Sequence, residues 1–374
     1  MRIVHVSDCL APRTGGIESQ VGDLAAAQAA AGDDVHVLTA TPGAGGERGG
    51  VVESAGDVVV HRLGAQIPGD APINPVTGPR LIRAALDELR PDVVHVHAGM
   101  ISPFAYDGAR IARERGLPMV VTWHCMLDGA TTALALGARL SGWRDARFVP
   151  TAVSPAAGKR VARMLGVDPD EVGVVPNAID VGAWSRGAAG REPSSTVRLV
   201  ATQRLAPRKR GRALIDAMAD ATRVVPDGAL HLTLVGDGPQ EAALRARVEK
   251  LGLGDSVLFA GRLPREEIPV LYRHADFFCA PADLEAFGIA ALEARAAGLG
   301  VLARRGTGIE GFVRHEEDGL LVDDDAGFAE AMVRLVRDRP LRDRIVEHNV
   351  ANPPAHGWDA TLAAATAAYT RARG

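Results

Sequence analysis

Short apolar runs alternate with longer stretches of helical periodicity from one end of the chain to the other. In the first half, runs at 2–6, 34–39, 58–63, 92–97, 118–123, 148–153 and 172–175 read as strands. Between them lie helical patterns such as 16–31, where Ile17, Val21, Leu24 and Gln28 recur at helical spacing and alanine fills the remainder. Such alternation predicts parallel sheets covered on both faces by helices. The stretch from Ser185 to Ser195 is polar, contains glycine and has no period, so it reads as a linker. The pattern then restarts with strands at 197–202, 230–235, 256–260, 276–280, 300–303 and 320–322. Helices are expected at 209–223, 239–252, 286–298, 326–337 and 340–349. Asn352 to Gly357 breaks the chain before a last amphipathic helix, 358–372. The expected fold class is α/β: two doubly wound, Rossmann-like domains, 1–185 and 186–357, facing across a cleft.

Length agrees, because 374 residues exceed a comfortable single core. A formal charge of −4 gives no electrostatic case for binding nucleic acid. Cys9, Cys125 and Cys279 show no pair spacing for zinc or a redox motif and fit a reducing compartment. Met1 to Ser7 enters a strand pattern at once, without signal-peptide architecture, and no apolar run is long enough to span a bilayer. The expected location is cytoplasmic. The segment 131–148 mixes Leu134, Leu136, Leu140, Trp143 and Phe148 with Arg139, Arg144 and Arg147. It reads as a domain-core helix with a basic exposed face, with weak peripheral membrane contact as the alternative.

The densest chemistry lies between Glu285 and Glu293. An apolar run ending at Ala280 and Pro281 precedes a helix that is almost wholly apolar, so an ionised Glu293 within it needs a polar partner. The amides of Phe287, Gly288 and Ile289 at the helix start form a ready anion site. Glu293 stands about five residues in, roughly 7.5 Å along the axis. That offset suits a nucleotide whose diphosphate caps the helix while its ribose meets the carboxylate. Glu285, outside the helix, is then placed for the group at the far end of the diphosphate.

Other strand ends add candidates. After strand 197–202 come Arg204, Arg208, Lys209 and Arg210, a cationic turn suited to phosphate. Gly236 and Gly238 mark another strand-to-helix turn, and Gly15 and Gly16 a third, where a backbone can approach a ligand closely. His124 follows strand 118–123 at its carboxyl end, whereas His5, His95 and His97 read as core or edge residues. The full spaced-glycine dinucleotide fingerprint is missing after the first strand, which argues against an NAD or FAD oxidoreductase. No Asp-rich or His/Cys metal constellation stands out, so neither a catalytic metal nor another cofactor is expected.

In order along nearly the whole chain, these features resemble the retaining nucleotide-sugar glycosyltransferases of family 4, which have the two-domain GT-B fold. The resemblance rests on Gly15-Gly16, His124, the run Val175 to Asp180, Arg204 with Lys209, the turn Gly236 to Pro239, and the glutamates at 285 and 293. It implies that Arg204 and Lys209 hold the diphosphate, Glu293 the ribose and Glu285 the transferred sugar. The amides of Phe287, Gly288 and Ile289 would support sugar or phosphate. Arg262 and Leu263 would lie where backbone groups read the base, Gly16 would approach the diphosphate, and His124 would sit near the donor sugar. It also implies that the last helix, within 358–374, returns to the first domain. The reaction implied is transfer of a hexose-type sugar from a UDP- or GDP-linked donor to an acceptor hydroxyl on a small molecule, glycan or lipid. Retention would come from same-face attack in which the leaving phosphate helps deprotonate the acceptor. Alternatives are a GT-B-shaped sugar-nucleotide epimerase and a non-catalytic nucleotide-sugar binding protein. The chain departs from the family pattern at Ala282, at Ala286 and in the loop Arg304 to Glu310, which bears on sugar identity.

Overall fold

The computed structural model describes residues 1–13, 15–65, 73–127, 148–185 and 194–374. The chain forms two compact units, one of Met1–Ala178 with Trp358–Gly374 and one of Ile179–Gly357. The expected linker lies largely, and segment 131–148 almost wholly, outside the described residues.

In unit 1 the strands are β1 (Arg2–Ser7), β2 (Asp34–Thr39), β3 (Val51–Ala55), β4 (Val58–Arg62), β5 (Val93–Ala98), β6 (Met119–Trp123), β7 (Val149–Ala152) and β8 (Gly173–Val174). Their order is β3-β4-β2-β1-β5-β6-β7-β8, parallel throughout except for β3 against β4. The central strands are buried along almost their whole length, as strands of a sheet covered on both faces must be. Ile3, Val35 and Val93 stand in register on one face. The final helix Trp358–Arg373 packs on this face through Ala365 and Tyr369, and the helix Gly16–Ala30 packs beside it through Val21 and Ala25. Strand β3 was not anticipated. Its residues are mostly exposed on both faces of an edge, so they carry no apolar alternation to read.

In unit 2 the strands are β9 (Val197–Thr202), β10 (Leu230–Val235), β11 (Val257–Gly261), β12 (Phe277–Ala280), β13 (Gly300–Arg304) and β14 (Gly319–Val322). They form one parallel sheet in the order β11-β10-β9-β12-β13-β14. Its core runs from Val197 and Leu199 through Met218, Phe277 and Leu302 to Met332 and Ile345. The chain builds outward from β9 to β10 and β11, then restarts on the other side of β9 with β12. Such a reversal opens a crevice at the carboxyl ends of β9 and β12, the place where open α/β sheets take ligands. The helix expected at 286–298 is shorter, Ile289–Ala296, because Gly288 caps it in a left-handed conformation (φ 92°). Residues 281–288 are therefore a loop at the mouth of that crevice.

Candidate nucleotide-sugar site

Unit 2 brings two of the anticipated residues into direct contact at this switch point. Lys209, in the loop after β9, donates from Nζ to Glu285 Oε2 at 2.5 Å, and Glu285 lies in the loop after β12. Both side chains are three-quarters buried or more, at 23% and 20% exposure, so the pair is only partly screened by water. Arg204 is exposed in the same β9 loop and has no ion pair among the described residues. Of the neighbouring cations, Arg210 is committed to structure: it pairs with Asp283 at 3.2 Å and with both Asp325 oxygens at 2.7 and 2.5 Å. The cationic turn is thus divided. Arg210 braces the loop while Arg204, Arg208 and Lys209 remain at its rim.

The loops after β9, β10 and β11 are stitched together by backbone hydrogen bonds. Gly236 donates to the carbonyl of Gly261 at 2.7 Å, and Leu205 donates to that of Asp237 at 2.7 Å. A Cβ on Gly236 would sit 2.0 Å from the Gln203 carbonyl oxygen, so glycine is required for close packing of two loops. Arg262 is exposed and Leu263 half-buried just beyond β11.

On the other side of the crevice, the amides of Phe287 and Gly288 have no acceptor among the described residues. Glu293 is buried in the helix behind them, and Arg265 donates to its Oε1 at 3.2 Å, supplying the polar partner that burial demands. One residue pair missed by sequence reading steadies this helix. Arg295 donates to the fully buried Asp318 at 2.6 Å, and Asp318 also accepts from the Arg314 amide. These arginines hold the Asp318 carboxyl below the ordinary carboxylate range against the opposing effect of burial.

In unit 1, Gly15 caps the helix Gly16–Ala30, and a Cβ there would lie 2.4 Å from Glu18 Oε2. The expected anion site therefore carries a carboxylate beside it, which pairs with Arg13 at 3.3 Å. Asp8, which the sequence did not single out, follows β1 and accepts from the amides of Phe104 and Ala105, each at 3.1 Å. Burial outweighs those bonds and pushes its pKa up to about 6. His124 follows β6, its amide bonded to the Ala98 carbonyl at 2.9 Å and its ring to His97 at 3.0 Å. Burial lowers its pKa to about 4, so the ring is neutral at neutral pH. It borders a small cavity with His97, Thr122, Asn177 and Trp358.

Two family descriptions match the chain in succession: "Glycosyltransferase Family 4" over residues 14–183 and "Glycosyl transferases group 1" over residues 188–350. A D-inositol 3-phosphate glycosyltransferase from Thermomonospora curvata is 30% identical over 324 residues, covering 78% of this chain and 74% of the relative. The chain belongs to glycosyltransferase family 4. Another relative, the GDP-mannose-dependent alpha-(1-6)-phosphatidylinositol monomannoside mannosyltransferase of Mycobacterium tuberculosis, is 29% identical over 99% of this chain and 98% of its own. Among solved folds, Anabaena HepE in complex with UDP-glucose superimposes with a TM-score of 0.71 at 19% identity, covering 98% of this chain and 99% of that one. The GT-B class of the two Rossmann-like units is thereby established, and the chain is a family 4 glycosyltransferase. Among the described residues, no helix is long and apolar enough to cross a membrane.

Proposed function

We propose that this family 4 enzyme moves a hexose-type sugar from a UDP- or GDP-linked donor to an acceptor hydroxyl, with retention of anomeric configuration and without a metal ion. The observation that carries the proposal is the meeting of Lys209 and Glu285 at the β9/β12 switch point, beside the open amides of Phe287 and Gly288. In this reading Arg204 and Lys209 face the diphosphate. A cation about 4 Å from the developing phosphate charge contributes roughly 4 kcal/mol at an intermediate effective dielectric. Preorganised amides at Phe287, Gly288 and Ile289 add to that stabilisation without reorganising during the reaction. Glu285, released from Lys209 by the competing diphosphate, accepts from the donor sugar's hydroxyls. Glu293 holds the ribose, Gly236 shapes the loop beside the nucleotide, and Arg262 and Leu263 flank the base. From unit 1, Gly15 and Gly16 serve the diphosphate and His124 serves the sugar.

As the bond from the sugar's anomeric carbon to the distal phosphate oxygen breaks, its electron pair stays on the diphosphate. The acceptor oxygen bonds to the same face of the anomeric carbon and gives its proton to that phosphate oxygen. A similar fold solved with UDP-glucose and a relative named for GDP-mannose differ in base and sugar, and relatives named for inositol phosphate or phosphatidylinositol mannoside point to a polyol or glycolipid acceptor. A thermal-shift screen of nucleotide sugars comes first, since a ligand that binds the native state raises its melting temperature. The hit is then assayed with polyol and glycolipid acceptors in excess EDTA, and the product's anomeric configuration is read by NMR. Donor binding without acceptor-dependent transfer, inversion at the anomeric centre, or loss of turnover in EDTA would each contradict the corresponding part of the proposal.

A further inference from the structure

Behind His124 a continuous file of buried polar side chains crosses the β-sheet of unit 1. Its far end is fixed by a group that can only accept, the Val121 carbonyl, which receives the Thr151 hydroxyl at 3.1 Å. Thr151 has then spent its proton, so its oxygen accepts from Thr122 at 2.6 Å. Thr122 in turn accepts from His95 Nε2 at 2.7 Å. A neutral His95 carries its lone pair on Nδ1, which takes the Tyr369 hydroxyl proton at 2.8 Å. The Tyr369 oxygen accepts from Gln28 Nε2 at 2.8 Å, leaving Gln28 Oε1 to accept from His5 Nε2 at 2.7 Å. His5 Nδ1 therefore accepts from His97 Nε2 at 2.9 Å, and His97 Nδ1 from His124 Nε2 at 3.0 Å. Every proton in the file is assigned by the one before it.

We infer that this file holds His124 as the Nε2–H tautomer, so that its Nδ1 presents a lone pair to the ligand and the group it meets is a hydroxyl. His97, His5, Gln28, Tyr369 and His95 are positioning residues. None has more than 2% of its surface exposed, so no water competes for their bonds. Burial lowers the pKa of His5 to about 4 and those of His95 and His97 well below 6.5, which keeps the rings neutral as the assignment requires. Nδ1 of His124 has no partner among the described residues. The same three buried histidines have ligand atoms close enough to hold a metal. Yet both ring nitrogens of each are already engaged in the file, so a cation would have to break it. The hydroxyl as ligand rests on the glycosyltransferase reading; the tautomer does not.

The test is long-range proton–nitrogen correlation NMR on histidine-labelled wild-type protein near neutral pH, with His124 assigned from the signals lost in His124→Asn. The expected spectrum places the proton on Nε2 and leaves Nδ1 bare in His5, His95, His97 and His124. A protonated Nδ1 on His124, or stoichiometric divalent metal in the purified protein by elemental analysis, overturns the inference. Tyr369→Phe supplies the second arm. Without the hydroxyl, Gln28 is free to turn its amide over, and the expected result is a second His124 tautomer. The kcat/KM for the donor should fall in proportion to that tautomer's fraction, because the ligand hydroxyl then meets a protonated Nδ1. A reversed tautomer at full kcat/KM refutes the acceptor role of Nδ1. Absence of transfer in a wild type with the expected spectrum sinks the glycosyltransferase reading and leaves the tautomer standing.

Discussion

Mild acid should destabilise unit 1 through its buried histidines. His5 is fully buried with its pKa lowered from 6.5 to about 4, so between these values the unfolded chain binds a proton that the folded one refuses. Stability contributed by this group is therefore whole well above pH 6.5 and is lost as pH falls through the window. On going from about pH 7 to about pH 5 the loss is about 2 kcal/mol for His5. His124, lowered by burial to about 4 as well, adds about as much, and the downward shifts of buried His95 and His97 act in the same direction. Asp8 opposes them. Its pKa is raised from 3.8 to about 6, so its folded form gains a proton over the same range and returns about 1 kcal/mol. The net loss is at least about 3 kcal/mol, a large share of a typical domain's stability. Carboxylates whose pKa is lowered by arginine, such as Asp318, stay ionised in both states until pH approaches their unfolded value, 3.8, and so do not confuse this window. Urea unfolding at both pH values, followed by the ring protons of His5, His95 and His97, should show the unit 1 midpoint falling by about 1 to 2 M. A midpoint that moves by less than about 0.3 M, or ring signals that titrate near the ordinary histidine value, would refute the burial of neutral rings.

Three substitutions test other parts of the structure. Lys209→Ala removes a cation from the switch point and should lower turnover by about 10²–10³-fold in a steady-state assay while the melting temperature is held. Asp318→Ala leaves the Arg295 guanidinium buried without its carboxylate and should cost about 3–5 kcal/mol in urea unfolding of unit 2. An unchanged midpoint would mean that the pair does not brace the Glu293 helix. Gly236→Ala combines a φ of 126° with the contact to the Gln203 carbonyl. It should destabilise unit 2 by about 2 kcal/mol or more and weaken nucleotide affinity by calorimetry, because the loops it joins also carry Arg204 and Arg262.

The fold was legible wherever burial was complete. Parallel strands such as β1, β5 and β9 are mostly apolar and buried over most of their length, and each predicted run lies within a residue or two of the strand found. Strand β3 escaped because an exposed edge leaves Val51, Val52 and Glu53 with no core to alternate against. The Glu293 helix was placed correctly but begun too early, since an apolar sequence such as Ala286-Phe-Gly cannot say where the backbone turns left-handed. Gly288 decided that, through φ 92° and the packing of Ile309 against it.

Pairing across a sheet is a different kind of information from the content of a strand. Lys209 and Glu285 lie far apart in sequence, and only the order β10-β9-β12 makes the loops that carry them neighbours. The sequence supplied both residues as candidates but not their ion pair, nor the diversion of Arg210 to Asp325. The histidine file is the stronger case. Alternation along β5 puts His95 and His97 on one face, and β1 sets His5 opposite His95 in register. Neither strand, read alone, indicates that the other is adjacent or that Tyr369, from the last helix, supplies the hydroxyl between Gln28 and His95. Each of these residues taken singly is a buried polar group that needs a partner. The sheet order turns those separate needs into one directed sequence of donors and acceptors, and its end, unpartnered among the described residues, is the Nδ1 of the histidine that sequence reasoning had already singled out.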